Sequence, residues 1–185
     1  MEITYKTTAF SELTTEEIDE FIDFCFKCHT HQEYNTNKTR EHFLETITSY
    51  IERKNTYIIR AYDNSKLVGS IMLLDILYST AVNKSTELLN YLEENNIDRN
   101  KSAVTTELWV DPDYFSNGIA KTLNQMVETL AAEKDFKHFV FFGAFEERTL
   151  RWYHAYYKNR ITFTDIRILS NDVATVFLVD INLPE

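Results

Sequence analysis

The run HFVFFGAF, His138 to Phe145, is almost continuously apolar, as expected of a central strand covered on both faces. The segments on either side read as helices. Before it, Ile119, Leu123, Met126, Val127 and Leu130 fall at helical spacing and give one apolar face. After it, ERTLRWYHAYYKN, from Glu147, reads as a second helix. Upstream of both, AVTTELWV from Ala103 is rich in β-branched residues and reads as a strand.

The N-terminal half adds more elements. EITYKTTA, residues 2–9, reads as a first strand, and Thr14 with Glu17 forms a capping box that opens a helix to about His29. A second helix is expected from about Lys38 to Arg53, with Phe43, Leu44, Ile47, Tyr50 and Ile51 on its inner face. TYIIRAY and KLVGSIMLLDI follow as strands joined through Asp63, Asn64 and Ser65, a hairpin. The polar segment from about Tyr78 to Ser102 carries a short helix around Leu88 to Glu94. It exceeds an ordinary hairpin connection and is therefore a functional lid or an insertion. The chain closes with strands ITFTDIRIL and ATVFLVDI. The expected order is strand, two helices, three strands, helix, strand, helix, two strands: one α/β domain over residues 1–185 with a mixed sheet.

Hydrophobic residues at 44% and charged residues at 26% describe an ordinary soluble globular chain. The formal net charge of −10, without any Lys/Arg-rich run, argues against nucleic acid as a partner. It is compatible with a cationic acceptor. MEITYKTTAF lacks the basic start and apolar core of a signal peptide, and no apolar run approaches the roughly 20 residues that cross a bilayer. No membrane partner is expected, and a cytoplasmic location is.

Cys25 and Cys28 form CFKCH, the spacing of a haem-attachment motif. Haem attachment would require export, and a zinc site would lack a second cysteine pair. Ile18, Phe21, Ile22, Cys25 and Cys28 recur at helical spacing, so both thiols are expected in the core and no metal is.

The chain has three glycines, and Gly118 lies between a strand and a helix in ELWVDPDYFSNGIAKTL. A strand ending at Val110 and a helix starting near Gly118 present unpaired N–H groups to the loop between them. With the positive end of the helix dipole and Lys121 one turn in, this is an anion site, and a glycine admits a phosphate oxygen close to the backbone. Distant carboxylates do not forbid it, because charges are screened over about 8 Å in cell-like salt. One glycine alone equally suits a loop end that allows close packing. No Walker A sequence and no Gly-x-Gly-x-x-Gly follows any strand, which excludes an NTPase loop and a dinucleotide fingerprint.

VDPDYFSNGIAKTL resembles the acyl-CoA-binding segment of the GNAT superfamily of N-acyltransferases, and the order of elements over nearly the whole chain is similar too. Val110, Pro112, Gly118 and Ala120 match that segment in type and spacing, while Phe115 stands where the family carries Arg or Gln. The resemblance implies a single-domain fold with a mixed, mostly antiparallel sheet of about seven strands flanked by four or five helices. It implies acetyl-CoA as co-substrate, with Phe115, Ser116, Asn117, Gly118, Ile119, Ala120 and Lys121 around the pyrophosphate. Main-chain groups of Trp109 and Val110 would pair with pantetheine, and HFVFFGAF would form the other wall.

Acyl transfer to an amine needs a neutral amine, an oxyanion donor and a proton for the departing thiolate. A main-chain N–H near Val110 suits the oxyanion, and a tyrosine suits the thiolate. By resemblance Tyr153 stands at the family's tyrosine position, with Tyr157 one turn later as second candidate; Glu146 replaces the family's Asn and Thr162 its Gly. Trp152, Tyr153, Tyr156 and Tyr157 also read as a core-packing stripe. Glu107, on the strand leading to Val110, is the candidate base, or else a solvated or ion-paired strand residue; His138 and His154 read as structural. The expected function is transfer of acetyl from acetyl-CoA to a primary amine of a small molecule or protein, directly in a ternary complex. The alternative is a non-catalytic acyl-CoA-binding sensor or regulatory module. Acids such as Glu45, Asp75, Glu93 and Glu94 fit a cationic acceptor, and the final strand ATVFLVDI suits pairing in a homodimer.

Overall fold

The computed structural model describes residues 2–31, 39–50, 53–79, 82–83, 85–143, 147–158, 161–169 and 172–181, with backbone alone for 142–143, 147–150, 161–169 and 172–177. Strands form at Ile3–Ala9 (β1), Tyr57–Asp63 (β2), Lys66–Asp75 (β3), Ser102–Val110 (β4), His138–Gly143 (β5), Ile161–Leu169 (β6) and Asp172–Asp180 (β7). Helices form at Thr15–His31 (α1), Arg40–Thr48 (α2), Thr86–Glu94 (α3), Ile119–Glu133 (α4) and Glu147–Tyr157 (α5). The order along the chain is the one expected from periodicity.

The strands make one sheet in the order β1-β2-β3-β4-β5-β7-β6. β1–β2, β2–β3, β5–β7 and β6–β7 run antiparallel. β4 and β5 run parallel, pairing Ser102–Val104 with His138–Val140. A parallel pair needs a long crossover, and α4 supplies it. The mixed, mostly antiparallel seven-stranded sheet agrees with the expected fold.

The chain forms two compact units, residues 1–73 with 106–127 and residues 74–105 with 128–185. In the first, the capping box forms as expected: Glu17 N–H donates to Thr14 Oγ1 at 3.2 Å, and Thr14 N–H to Glu17 Oε2 at 3.1 Å. From that start α1 turns Phe21, Ile22, Cys25 and Cys28 inward, all fully buried. Both cysteines are free thiols in the core, and burial pushes the Cys28 thiol up to about 12. α2 is shorter than its periodicity suggested. Thr48 Oγ1 donates to Leu44 C=O and Ser49 Oγ to Thr46 C=O, each at 2.6 Å, and hydroxyls bonding back to the main chain compete with helix continuation. Residues 51–52 lie outside the described set.

Gly69 in β3 has a packing role. A Cβ built there would stand 2.7 Å from Ile119 Cγ2 and 3.2 Å from Leu123 Cδ1, so the missing side chain lets the start of α4 approach the strand. In the second unit, α3 starts at its cap Ser85, whose Oγ accepts from Leu88 N–H at 3.2 Å, and packs on β6. Its start, Thr86, is slightly earlier than expected.

Candidate functional site

The loop from β4 to α4 is held by charge. The Asp111 main-chain N–H donates to Val68 C=O at 2.9 Å, and its Oδ1 accepts from Asp113 N–H at 3.2 Å, capping the short turn Pro112–Tyr114. Its other oxygen takes Lys27 Nζ at 2.9 Å and Lys66 Nζ at 3.1 Å. Burial alone would raise this carboxyl, but the two ammonium groups and the N–H prevail and hold it below its usual value. Tyr114 O–H donates to Asp63 Oδ2 at 2.8 Å, and Lys66 Nζ lies 4.8 Å from the centre of the Tyr114 ring. The β2–β3 hairpin and α1 therefore both grip the loop.

Beyond that grip the backbone opens. Ser116 has φ +66° and Gly118 φ +79°, in the region that favours glycine. Asn117 Nδ2 donates to the carbonyls of Tyr114 at 3.2 Å and Phe115 at 3.4 Å. Gly118 C=O accepts from Thr122 N–H at 3.0 Å, which makes it the cap of α4. The N–H groups of the first turn, through Lys121, then have no partner within the helix. A Cβ built on Gly118 meets nothing within 4 Å. No atom of Phe115 occupies that space, and its ring is exposed. Residues 115–121, expected to share one anion site, are thus brought together around the open end of a 15-residue helix.

Upstream in β4, Glu107 has φ +52°, a left-handed residue inside a strand. Its carbonyl accepts from Ser70 Oγ at 3.0 Å. Its half-buried carboxylate accepts the Trp109 indole N–H at 2.7 Å on Oε2 and Thr106 Oγ1 at 3.4 Å on Oε1. The Trp109 ring meets His29 and Phe43 edge-on, with centroids 6.0 and 6.4 Å away. Cys25 and Tyr50 are within electrostatic reach of Glu107: burial first, then this carboxylate, pushes the thiol and the phenol up. Strain of this kind is found where a site over-determines its backbone.

Sequence reading located Glu107, Trp109 and Val110 but not Ser70, His29, Phe43 or the Asp111 lysines. A serine inside the apolar run LVGSIMLL, and an Asp before Pro112, were the available signals. Asp75, counted as an acid for the acceptor, is buried and caps a turn by accepting from Leu77 N–H at 3.0 Å.

In the second unit, Tyr153 and Tyr157 are buried on one face of α5, their rings parallel with centroids 6.1 Å apart. Both tilt against Phe141 of β5, at 5.2 and 5.8 Å. Trp152 and Tyr156 stack beside them at 5.2 Å, half-buried. The expected aromatic stripe is therefore packed. His138 Nδ1 lies 2.7 Å from Asp180 Oδ1, and His154 is exposed. Glu146 and the Thr162 side chain lie outside the described residues. Among the described residues, no helix is long and apolar enough to cross a membrane, and no group of three or more His, Cys, Asp or Glu could hold a metal.

The model of the acetyltransferase (GNAT) family matches residues 15–158. The chain belongs to the GNAT acetyltransferase family. The expected resemblance is thereby shown, and GNAT membership implies acyl transfer from coenzyme A. Solved structures agree in fold. FeeM, an N-acyl amino acid synthase from uncultured soil microbes, superposes at TM-score 0.68 with 15% identity over 97% of this chain and 91% of its own. PaiA N-acetyltransferase from Thermoplasma acidophilum, in complex with coenzyme A, gives 0.62 with 15% identity over 97% and 99%. An acetyltransferase of the GNAT family from Staphylococcus aureus Mu50 gives 0.64 with 12% identity over 97% and 100%. No curated protein sequence matches the chain.

Proposed function

We propose that this GNAT chain is an N-acetyltransferase that moves acetyl from acetyl-CoA to a primary amine in a ternary complex. The observation that carries the reading is Gly118, left-handed and open at the cap of α4, in a loop clamped through Asp111. The first-turn N–H groups and Lys121 bind the diphosphate, and the main chain of Trp109 and Val110 aligns the pantetheine arm. Glu107 takes a proton from the acceptor ammonium. The freed nitrogen attacks the thioester carbon, and a main-chain N–H near Val110 receives the oxyanion. The N–C bond forms, the C–S bond breaks, and the thiolate takes its proton from Tyr153, with Tyr157 as the second donor candidate. The nitrogen sheds its remaining extra proton to solvent, leaving an amide and free CoA.

The test combines calorimetry with CoA and thiol release from acetyl-CoA across a panel of amines. Binding in the micromolar range, abolished in Gly118→Asp, together with release on at least one amine supports the reading. No binding removes it. Burial of both Tyr153 and Tyr157 favours a second reading, a module that holds acyl-CoA without transfer; binding with no release on any amine would select it.

A further inference from the structure

Ser70, Thr106 and Trp109 converge on Glu107, each on a different atom of it. The fully buried Ser70 hydroxyl donates to its main-chain carbonyl at 3.0 Å. Thr106 Oγ1 donates to Oε1 at 3.4 Å. The Trp109 indole N–H donates to Oε2 at 2.7 Å. Glu107 itself is left-handed, φ +52°, a conformation that a glutamate keeps only where its surroundings over-determine it. The Ser70 bond holds that kink from β3.

The indole is held in its turn. Its ring meets His29 of α1 at 6.0 Å and 88°, and Phe43 of α2 at 6.4 Å and 73°. His29 and Phe43 are both buried, with centroids 5.4 Å apart. Side chains from two helices therefore seat the ring, and a seated ring aims its N–H in one direction.

A glutamate side chain left to itself samples many rotamers, and freezing it at the moment of reaction costs entropy. A bond from an N–H donor to an ionised oxygen is short and directional. It takes one of the roughly four lone-pair sites on a carboxylate, so it orients the group and leaves its chemistry as a proton acceptor intact. Orientation matters because proton transfer needs heavy atoms about 2.6–3.2 Å apart.

We propose that Trp109 is a positioning residue for the proton transfer: its indole N–H, seated by His29 and Phe43, holds the Glu107 carboxylate in the orientation that deprotonates the acceptor ammonium. This rests on the N-acetyltransferase reading and gives the Trp109 side chain a role separate from that of its main chain beside pantetheine. The proton passes from the ammonium nitrogen to a Glu107 oxygen, and the indole keeps its own N–H throughout.

The experiment measures kcat and KM for thiol release from acetyl-CoA with the fastest of spermidine, kanamycin, phenethylamine and alanine amide, alongside calorimetry with CoA. It compares the parent, Trp109→Phe, Glu107→Gln and the double variant. Trp109→Phe keeps an aromatic ring in the seat and removes the donor. It should lower kcat by about tenfold or more, as misplacement of a catalytic group does. The Kd for CoA and the KM for acetyl-CoA should stay within about twofold, because the lost interaction serves the chemical step. In the Glu107→Gln background the same change should cost less than about twofold further, since the indole acts through the carboxylate. Equal losses in both backgrounds, or unchanged kcat in Trp109→Phe or in Glu107→Gln, overturn the inference and leave the transferase reading intact. Should Trp109→Phe fold poorly, the indole N–H proton resonances of the parent and Glu107→Gln proteins carry the test. The Trp109 signal should move upfield when its acceptor loses its charge, while kcat falls; either one unchanged overturns the inference. CoA binding without release on any of these amines overturns both this inference and the transferase reading, as does no CoA binding.

Discussion

Lys27 Nζ and Asp111 Oδ2 are separated by 84 residues in the chain and by 2.9 Å in space. With Lys66 on the same oxygen, the pair fixes the entrance of the loop that precedes α4. Asp111→Asn keeps the shape and the cap on Asp113 but removes the charge both lysines face. It should cost about 1–3 kcal/mol in urea unfolding, because a buried hydrogen-bonded carboxylate is lost. CoA affinity should fall as well, since the loop is no longer anchored at its start. Unchanged stability and unchanged affinity would show that the clamp is incidental.

Two glycines test two different physical constraints. At Gly69 an added methyl meets Ile119 Cγ2 at 2.7 Å, so Gly69→Ala should destabilise by about 1–3 kcal/mol through overpacking. At Gly118 the space is open but φ is +79°, so Gly118→Ala should cost only about 1 kcal/mol, all of it backbone strain. Thermal melts of the two variants decide the point, and the reverse ranking would contradict the geometry.

Glu17 predicts an acid limb in stability. Its hydrogen bond from Thr14 N–H, then that from the buried Arg60 at 2.8 Å, lowers its carboxyl from the ordinary 4.5 to about 2. A depressed folded value means the stabilisation is complete above about pH 4.5 and is lost as pH falls from there toward 2. The loss should be on the order of 1–2 kcal/mol, discounted for a side chain partly in solvent. Chemical unfolding between pH 6 and 3 should show it, and Glu17→Gln should flatten that part of the profile. An unaltered pH dependence in the variant would rule Glu17 out as its source. Arg60 Nε and Nη1 have no hydrogen-bond partner among the described residues, so the loss of Glu17 also leaves a buried cation poorly compensated.

Tyr153→Phe separates chemistry from packing. The ring against Phe141 and Tyr157 is retained, so the fold and CoA affinity should stay close to the parent. Turnover should drop by roughly 10²-fold or more if the phenol protonates the thiolate. Tyr157→Phe run in parallel assigns the role: a fall confined to Tyr157→Phe transfers the proton to that residue, and unchanged turnover in both removes the pair from the mechanism.

Sequence alone determined the order of the elements, the Thr14–Glu17 capping box, the β2–β3 hairpin, the buried cysteine face of α1 and the glycine-capped start of α4. These features are local: each is written in residues three or four apart on a helix, alternating on a strand, or adjacent in a turn. Tertiary structure alone decided the left-handed kink at Glu107 with Ser70 on its carbonyl, the two lysines on Asp111, and the seat of Trp109 between His29 and Phe43. Ser70 and Glu107 are 37 positions apart. No short window of sequence holds both partners of such a bond, and only the folded sheet and the helix above it bring a carbonyl, a hydroxyl and an aromatic edge within reach of each other.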